Sequence, residues 1–151
     1  MKNFVGADHR GYRLKAKIIA LLGSQGHEVI DGGSFSDKPC DYPAISYRIA
    51  RAVASSSQAR GILICMSGLG HTIAANKVPG AYAALCYNRR AAQLSREHNN
   101  SNILVLGAKF VTGAQMRAII STWLKTDFSR EARHVRRLRQ IKAMENELFK
   151  K

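Results

Sequence analysis

The sequence lacks any long hydrophobic run, and this absence excludes one class of protein. No stretch approaches the roughly 20 consecutive apolar residues that a membrane-spanning helix needs. The first ten residues, M-K-N-F-V-G-A-D-H-R, become charged before the apolar core of a signal peptide can develop. We therefore expect no membrane partner, and a soluble, unexported chain whose 151 residues form a single domain, 1–151.

Cysteine is also scarce. The three cysteines, Cys40, Cys65 and Cys86, include no C-x-x-C pair, and any disulfide scheme leaves one of them unpaired. This pattern argues against a secreted disulfide framework and against a structural zinc site. A reduced cytosol fits it best, so we predict a cytoplasmic protein.

Acidic residues are few compared with basic ones. Twenty-four Lys and Arg face ten Asp and Glu, which gives a formal net charge of +14 and a pI near 10.3. Such a charge attracts nucleic acid, anionic membranes or phosphorylated metabolites, and it is equally compatible with a solvated basic surface. Aromatic residues do not cluster with the basic ones, which disfavours stacking on nucleic acid without excluding it.

The chain has no internal repeat, low-complexity segment or linker, and its apolar runs alternate with helical patterns. Strands are predicted at residues 2–7, 27–31, 61–66, 81–87 and 102–106. Helices are predicted at residues 11–24, 44–55, 69–76, 89–98 and 112–125. This alternation indicates βαβ units, and hence an α/β fold: a three-layer, doubly wound sheet of five parallel strands covered by helices on both faces.

A further helix is predicted at residues 129–151, as a C-terminal extension. Its stripe at three- and four-residue spacing suits packing on its own domain or on a partner subunit and contains Val135, Leu138, Ile141, Glu145 and Leu148. In doubly wound sheets, ligands bind at the carboxyl ends of the strands near a topological switch point. This rule selects Asp8 and His9, residues 65–70, and the segment after Leu106.

The segment I-C-M-S-G-L-G-H-T-I at residues 64–73 combines a thiol with a glycine turn. It is not a dinucleotide fingerprint, because Ile73 replaces the third glycine and the loop follows the third strand rather than the first. It is not a Walker A loop, because no G-K-S or G-K-T follows. Backbone N–H groups that open a helix can still hold an anionic oxygen, and the same location favours the thiolate of Cys65. A buried structural cysteine is the alternative, and for Cys86, inside an apolar strand, it is the preferred one.

Other polar residues each have a structural and a functional interpretation. Asp8 and His9 end the first strand, where they can bind ligand or transfer protons. His98 ends a helix before Asn99 and Asn100, so it can simply complement the negative helix terminus. Two further residues, Arg133 and Arg137, leave one helix face at i and i+4 and suit a phosphate dianion, although a solvated basic face explains them as well.

Several motifs, taken in order, resemble one family. They are G-A-D-H-R-G at 6–11, D-Y-P at 41–43, G-I-L-I-C-x-S-G-x-G at 61–70, I-A-A-N-K at 73–77, Q-L-S-R-E-H-N-N at 93–100 and R-H-x-x-R at 133–137. Together they resemble the ribose-5-phosphate isomerase B branch of the sugar-phosphate isomerases, over nearly the whole chain. The resemblance implies a flavodoxin-like or Rossmann-like fold. It also implies metal-free and cofactor-free aldose–ketose isomerisation, and a homodimer or dimer of dimers with active sites between subunits.

The resemblance also implies a role for individual residues. Cys65 would move the proton between C2 and C1. His98 would open the furanose ring, and Ser67 stands where the family usually has Thr or Ser. Sugar hydroxyls would be bound by Asp8 and Tyr42. The enediolate oxygens would be held by Asn99 and by the backbone from Ser67 through Gly68 to Gly70. The phosphate would be bound by His9, Arg133 and Arg137.

Three residues depart from the family pattern. Met66 stands where glycine usually follows the cysteine, so it would crowd the sugar or point into the core. Lys109 stands where an arginine often helps to bind phosphate, and it replaces a planar fork by a point charge. His71 stands where another branch carries a glutamate base; we interpret it as lying behind the site or on the helix surface, or as sharing the proton transfer.

The leading hypothesis is interconversion of ribose 5-phosphate and ribulose 5-phosphate through an enediolate. One alternative is an isomerase of a six-carbon sugar phosphate such as allose 6-phosphate. The other is a non-catalytic protein on the same scaffold that binds a phospho-ligand or nucleic acid, which Met66, Lys109 and the high charge would favour.

Overall fold

The computed structural model describes residues 2–149. Its helices and strands alternate along the chain in the order β1(Lys2–Ala7), α1(Tyr12–Ser24), β2(Glu28–Asp31), α2(Tyr42–Ala54), β3(Ala59–Cys65), α3(Leu69–Ala75), β4(Ala83–Leu85), α4(Arg89–Glu97), β5(Ile103–Gly107), α5(Gly113–Lys125) and α6(Ala132–Leu148). Within these residues, no helix has the length and apolar character needed to span a membrane.

All five strands are parallel, and the sheet has the order β2-β1-β3-β5-β4. From β1 the chain moves to β2 at one edge of the sheet; after β3 it moves to β4 at the other edge and then returns to β5, between β3 and β4. The topological switch point therefore lies between β1 and β3, where Ala7 pairs with Ile64. The next residues along these strands are Asp8 and Cys65, so the predicted ligand crevice lies between them.

Two apolar cores cover the two faces of the sheet. Alternate residues of β3 point to opposite faces, so Ile62 and Ile64 join one cluster and Leu63 joins the other. The first cluster includes side chains of α1, α4 and α5, among them the fully buried Trp123. The second includes side chains of α2 and α3. The predicted three-layer fold with five parallel strands is confirmed.

The last helix begins three residues later than predicted. Arg130 adopts a left-handed conformation with φ of 56°, and Glu131 is the N-cap residue, so helical geometry starts only at Ala132. Residues 150 and 151 of the predicted helix lie outside the described residues. Most of α6 is exposed; His134 is its one buried residue in the part that the structure describes.

The fourth strand is shorter than its apolar run predicts. Ala81 donates its N–H to the carbonyl of Val78 in a turn, and Tyr82 donates its N–H to the side chain of Asn102. These two N–H groups are therefore not available for hydrogen bonds between strands. Strand β4 pairs with β5 only over Ala83–Leu85.

Candidate active site

Three side chains with acid–base chemistry meet at the switch point. Asp8 follows β1, Cys65 ends β3, and His71 lies in the first turns of α3. They are 7%, 6% and 0% exposed, and one donor atom of each lies within 4.8 Å of the donor atoms of the other two. The short connection from β3 to α3 brings His71 back over the strand end that carries the thiol.

The carboxylate of Asp8 is oriented by the turn that follows it. Its Oδ1 accepts the backbone N–H groups of Arg10 and Gly11, both at 3.0 Å. A Cβ atom on Gly11 would lie 2.3 Å from the carbonyl oxygen of Ile64, so only glycine permits this turn to lie so close to β3. The turn therefore fixes both the carboxylate and its distance from the neighbouring strand.

The thiol of Cys65 points toward the glycine turn. Its Sγ accepts the backbone N–H of Gly68 at 3.0 Å, and Gly68 has a left-handed φ of 88°. The turn therefore directs a backbone donor at the sulfur and fixes its position at the end of β3. The carbonyl of Ser67 accepts the Tyr87 hydroxyl at 2.8 Å, which ties the turn to the segment after β4.

His71 is fully buried, so the expectation that it lies on the helix surface is wrong. Its Nδ1 lies 2.6 Å from the hydroxyl of Ser46, and that hydroxyl donates to the carbonyl of Tyr42 at 3.0 Å. A hydroxyl has one proton, so when that proton goes to Tyr42, Nδ1–H donates to Ser46 and Nε2 carries the lone pair. Within residues 2–149, this Nε2 has no hydrogen-bond partner.

Burial determines the charge of this histidine. It lowers the pKa of His71 to about 4, although the Asp8 carboxylate and the Ile64 carbonyl oppose the shift. The imidazole is therefore neutral at physiological pH. The i, i+4 spacing of His71 and Ala75, the two buried residues of α3, is the sequence signal that could have placed it on the inner face.

His9 and Tyr42 are neighbours of this cluster: His9 follows Asp8 along the chain, and Tyr42 contacts His71. His9 accepts the backbone N–H of Cys40 on its Nδ1 at 3.2 Å, so this cysteine contributes its backbone to the site. The ring of Tyr42 packs edge-on against His71 with centroids 5.6 Å apart. A Cβ atom on Gly70 would lie 2.5 Å from the Tyr42 ring, so glycine is required for this approach.

Two departures from the family pattern lie at the mouth of the same crevice. Met66 is 45% exposed, so the interpretation that it points into the core is wrong. Its carbonyl accepts the backbone N–H of Lys109 at 3.1 Å, which places exposed Lys109 at the same sheet edge.

Cys86 lies in the core, as predicted, with 1% of its surface exposed. Burial raises the pKa of its thiol to about 11.

The remaining predicted site residues form a second group. His98 is the C-cap of α4, and its ring lies 4.2 Å from the ring of His134 in α6. Asn99 follows it and is exposed, and Asn100 has a left-handed φ of 47° just beyond the end of the helix. Two exposed residues, Arg133 and Arg137, flank His134 on α6.

This second group lies at the opposite edge of the sheet. Helix α4 starts after β4, at the carboxyl edge, and runs back toward the start of β5. Ile103 at that start pairs with Gly61, four residues before Cys65 in β3. Four strand residues span about 13 Å. One chain therefore brings together the predicted residues around Cys65, but it keeps His98 and its neighbours away from them.

Similarity to known proteins identifies the family of this chain. A family model described as Ribose/Galactose Isomerase matches residues 4–141. The chain belongs to the ribose/galactose isomerase family. This confirms the resemblance inferred from the motifs.

Individual relatives in the ribose/galactose isomerase family match over most of their length. Ribose-5-phosphate isomerase B of Mycolicibacterium paratuberculosis is 42% identical over 91% of this chain and 87% of its own. That of Escherichia coli is 41% identical over 93% of both chains. The structure of Clostridium thermocellum ribose-5-phosphate isomerase B superposes with a TM-score of 0.95 at 45% identity, over 98% of this chain and 99% of that one. The Mycoplasma genitalium enzyme, solved with bound ribulose-5-phosphate, gives 0.92 at 38% identity over 97% of both chains.

Proposed function

We propose that this chain interconverts ribose 5-phosphate and ribulose 5-phosphate as an aldose–ketose isomerase. The observation that carries the proposal is the hydrogen-bonded thiol of Cys65 beside Asp8 at the switch point, in a chain whose relatives are named for this activity. The reaction needs a base next to a developing oxyanion, and a thiol at an amide-rich turn suits both needs.

The chemical steps follow from these groups. The Cys65 thiolate takes the proton from C2 of the open-chain sugar, and the electron pair of the C2–H bond forms the C1–C2 double bond of an enediolate. Negative charge then develops on O1. The N–H groups of Leu69 and Gly70, in the first turn of α3, have no acceptor within that helix and can stabilise it; Leu69 makes only a long bond of 3.4 Å to the Ser67 hydroxyl. Transfer of a proton from O2 to O1 and return of the thiol proton to C1 complete the ketose.

The furanose ring of the substrate must also be opened, and the substrate must be bound. Asp8 and Tyr42 border the crevice and bind sugar hydroxyls in this proposal, while His98 transfers the proton that opens the furanose ring. Asn99 helps to hold the enediolate. The phosphate is bound by His9, Lys109, Arg133 and Arg137. Binding the unreactive phosphate positions C1 and C2 next to the thiol, which is how remote binding energy accelerates such a step.

A second copy of the chain completes the site in this proposal. His98 and the two arginines lie too far from Cys65 in one chain, but a partner can present them at the carboxyl edge. Helix α6 supports association because it exposes large apolar side chains: Met144 is 62% exposed and Leu148 is 78% exposed. We place this homodimer in the cytoplasm, because all three cysteines are free thiols.

The test is an isomerase assay on ribose 5-phosphate with purified wild-type protein, Cys65→Ala and the control Cys40→Ala. We expect Cys65→Ala to lower kcat by at least about 100-fold, the usual contribution of a positioned base, and Cys40→Ala to retain activity. Equal turnover of Cys65→Ala and wild type would exclude the thiol as the base. A parallel assay on allose 6-phosphate and galactose 6-phosphate tests sugar length, and we expect kcat/KM to be highest for the five-carbon substrate.

A further inference from the structure

The cluster of Asp8, Cys65 and His71 contains three different metal-binding groups. A carboxylate, a thiol and an imidazole converge within 4.8 Å, and all three side chains are more than nine-tenths buried. The proposed reaction uses Cys65 for proton transfer and Asp8 for binding sugar hydroxyls, but it assigns no task to His71. Its Nε2 is buried and has no hydrogen-bond partner among residues 2–149, which is costly unless something occupies the adjacent space.

The three donor atoms lie close enough for one ion to draw them together. Zinc bonds sulfur at about 2.3 Å and nitrogen or oxygen at about 2.0 Å, so two ligand atoms on one tetrahedral ion lie about 3.3–3.5 Å apart. Donor atoms within 4.8 Å of one another therefore need to approach by at most about 1.5 Å when the ion binds. In the described residues, Nε2 makes no hydrogen bond to the Cys65 sulfur, so no shared proton lies between these two atoms.

Each of the three groups is already oriented by a second residue. Ser46 accepts the Nδ1–H of His71 and so directs the lone pair to Nε2, as the partners of metal-binding histidines do. Gly68 donates its N–H to the sulfur of Cys65 and so fixes where the sulfur lies. On Asp8, both amide bonds fall on Oδ1, so the other carboxylate oxygen can serve as a ligand.

We propose that Asp8, Cys65 and His71 bind a thiophilic divalent cation such as Zn²⁺, and that the bound ion blocks the thiol. Three protein ligands leave a fourth tetrahedral position for water. The ion replaces the thiol proton, which is released to solvent, and occupies the lone pair of the sulfur. It therefore competes with a sugar phosphate for the same crevice. Binding of the cation does not depend on the proposed isomerase activity, whereas the inhibition rests on it.

Direct binding is tested with Co²⁺, whose bond to a thiolate gives a charge-transfer absorption band in the near ultraviolet. The full-length reduced protein is titrated with Co²⁺, and the band is then displaced with Zn²⁺. We expect one equivalent to bind to wild type and to Cys40→Ser, no band in His71→Leu, and about tenfold weaker binding in Ser46→Ala, the usual cost of losing a group that orients a ligand. An unchanged band in folded His71→Leu, or no band in wild type, would overturn the proposal.

A second measurement needs no variant in the cluster. Cys65 is alkylated with iodoacetamide in the presence of Zn²⁺ or Mg²⁺ and quantified by mass spectrometry, with Cys40 as the internal reference. We expect micromolar Zn²⁺ to slow alkylation of Cys65 by at least about tenfold and Mg²⁺ to have no effect, because Mg²⁺ prefers oxygen ligands. Equal protection of Cys40, or none of Cys65, would contradict the site.

The inhibitory step is measured with the isomerase assay. We expect Zn²⁺ to inhibit reversibly, with relief by a chelator, and the concentration for half inhibition to rise with ribose 5-phosphate. If the protein shows no isomerase activity yet forms the His71-dependent Co²⁺ band, the metal site stands and the proposed function fails. If it is active, and Zn²⁺ gives neither band displacement nor inhibition, the metal site fails alone.

Discussion

Cys65 and His98 lie at opposite edges of the same parallel sheet. Cys65 is the last residue of β3, whereas His98 follows α4, the helix that returns from the carboxyl edge to the start of β5. A thiol and an imidazole so placed cannot act on one small substrate from within a single chain. If both take part in the reaction, the functional unit contains at least two copies.

The exposed apolar face of α6 is expected to hold these copies together. Met144→Asp places a charge on this face and should raise the dissociation constant of the dimer by at least about tenfold, because a buried unpaired charge weakens an interface. Sedimentation velocity over a concentration series measures the change. Ala143→Asp, on the opposite face of the same helix, is the matched control and should leave association intact. Equal behaviour of the two variants would remove α6 from the interface.

Gly107 is expected to fix the position of the glycine turn at Ser67 and Gly68, which follows Cys65. A Cβ atom there would lie 2.6 Å from the carbonyl oxygen of Ser67, which is backbone and cannot rotate away. Gly107→Ala should therefore destabilise the protein by about 1–3 kcal/mol, the usual cost of overpacking, and lower kcat by displacing the turn.

The control for this variant is Gly23→Ala in α1, where an added Cβ meets nothing within 4 Å. Alanine is the better helix former, so this change should raise the free energy of unfolding by up to about 1 kcal/mol. Urea unfolding of both variants measures the difference. A Gly107→Ala protein as stable and as active as wild type would show that the turn is not held by this contact.

Much of the fold could be predicted from the sequence, because the apolar runs are separated by amphipathic segments. β1 has the predicted bounds, and the rule for ligand crevices selects Asp8 and Cys65 before any motif is considered. The start of α6 could not be predicted, because nothing in the sequence marks Arg130 as a left-handed residue.

The candidate site was less predictable than the fold. The partnership of His71 with Ser46 depends on how α2 packs against α3, which periodicity does not show. The separation of His98 from Cys65, by contrast, follows from βαβ topology alone, since a connecting helix must run antiparallel to its strands. The sequence therefore contained that signal, and it is consistent with the active sites between subunits that the motif similarity implies.

The buried imidazole of His71 predicts a loss of stability in acid. Its pKa is about 4 in the folded protein, compared with 6.5 as the ordinary value. Below pH 6.5, the unfolded chain binds a proton that the folded chain does not, so the free energy of unfolding falls as the pH drops from 6.5 toward 4. The full contribution is up to about 3 kcal/mol, and it is retained above pH 6.5.

Urea unfolding of wild type and His71→Leu at pH 7 and pH 4.5 isolates this effect. Wild type should lose more stability between the two pH values than the variant does. His27→Gln, which changes a histidine at the start of β2, is the control and should follow wild type. Parallel losses in wild type and His71→Leu would contradict the assigned pKa.

Arg137 is expected to bind the phosphate through its planar fork. Arg137→Lys keeps the charge but loses the paired hydrogen bonds, so KM for ribose 5-phosphate should rise by about tenfold with a smaller change in kcat. Arg139→Lys, on the opposite face of α6, should leave KM unchanged. Steady-state kinetics at fixed ionic strength measures KM for both variants. Equal KM values would show that Arg137 does not bind the phosphate.

A mixed dimer tests most directly the central claim that two chains share each active site. Cys65→Ala and His98→Gln chains, each inactive alone, are co-expressed with different tags, and the mixed dimer is purified. If sites are shared, one site receives both substitutions and the other receives neither, so about half of the wild-type activity should return. A wild-type chain paired with the Cys65→Ala/His98→Gln double variant carries the same substitutions but no intact site, and it should remain inactive. A mixed dimer as inactive as its parents, or an active control, would contradict the shared site.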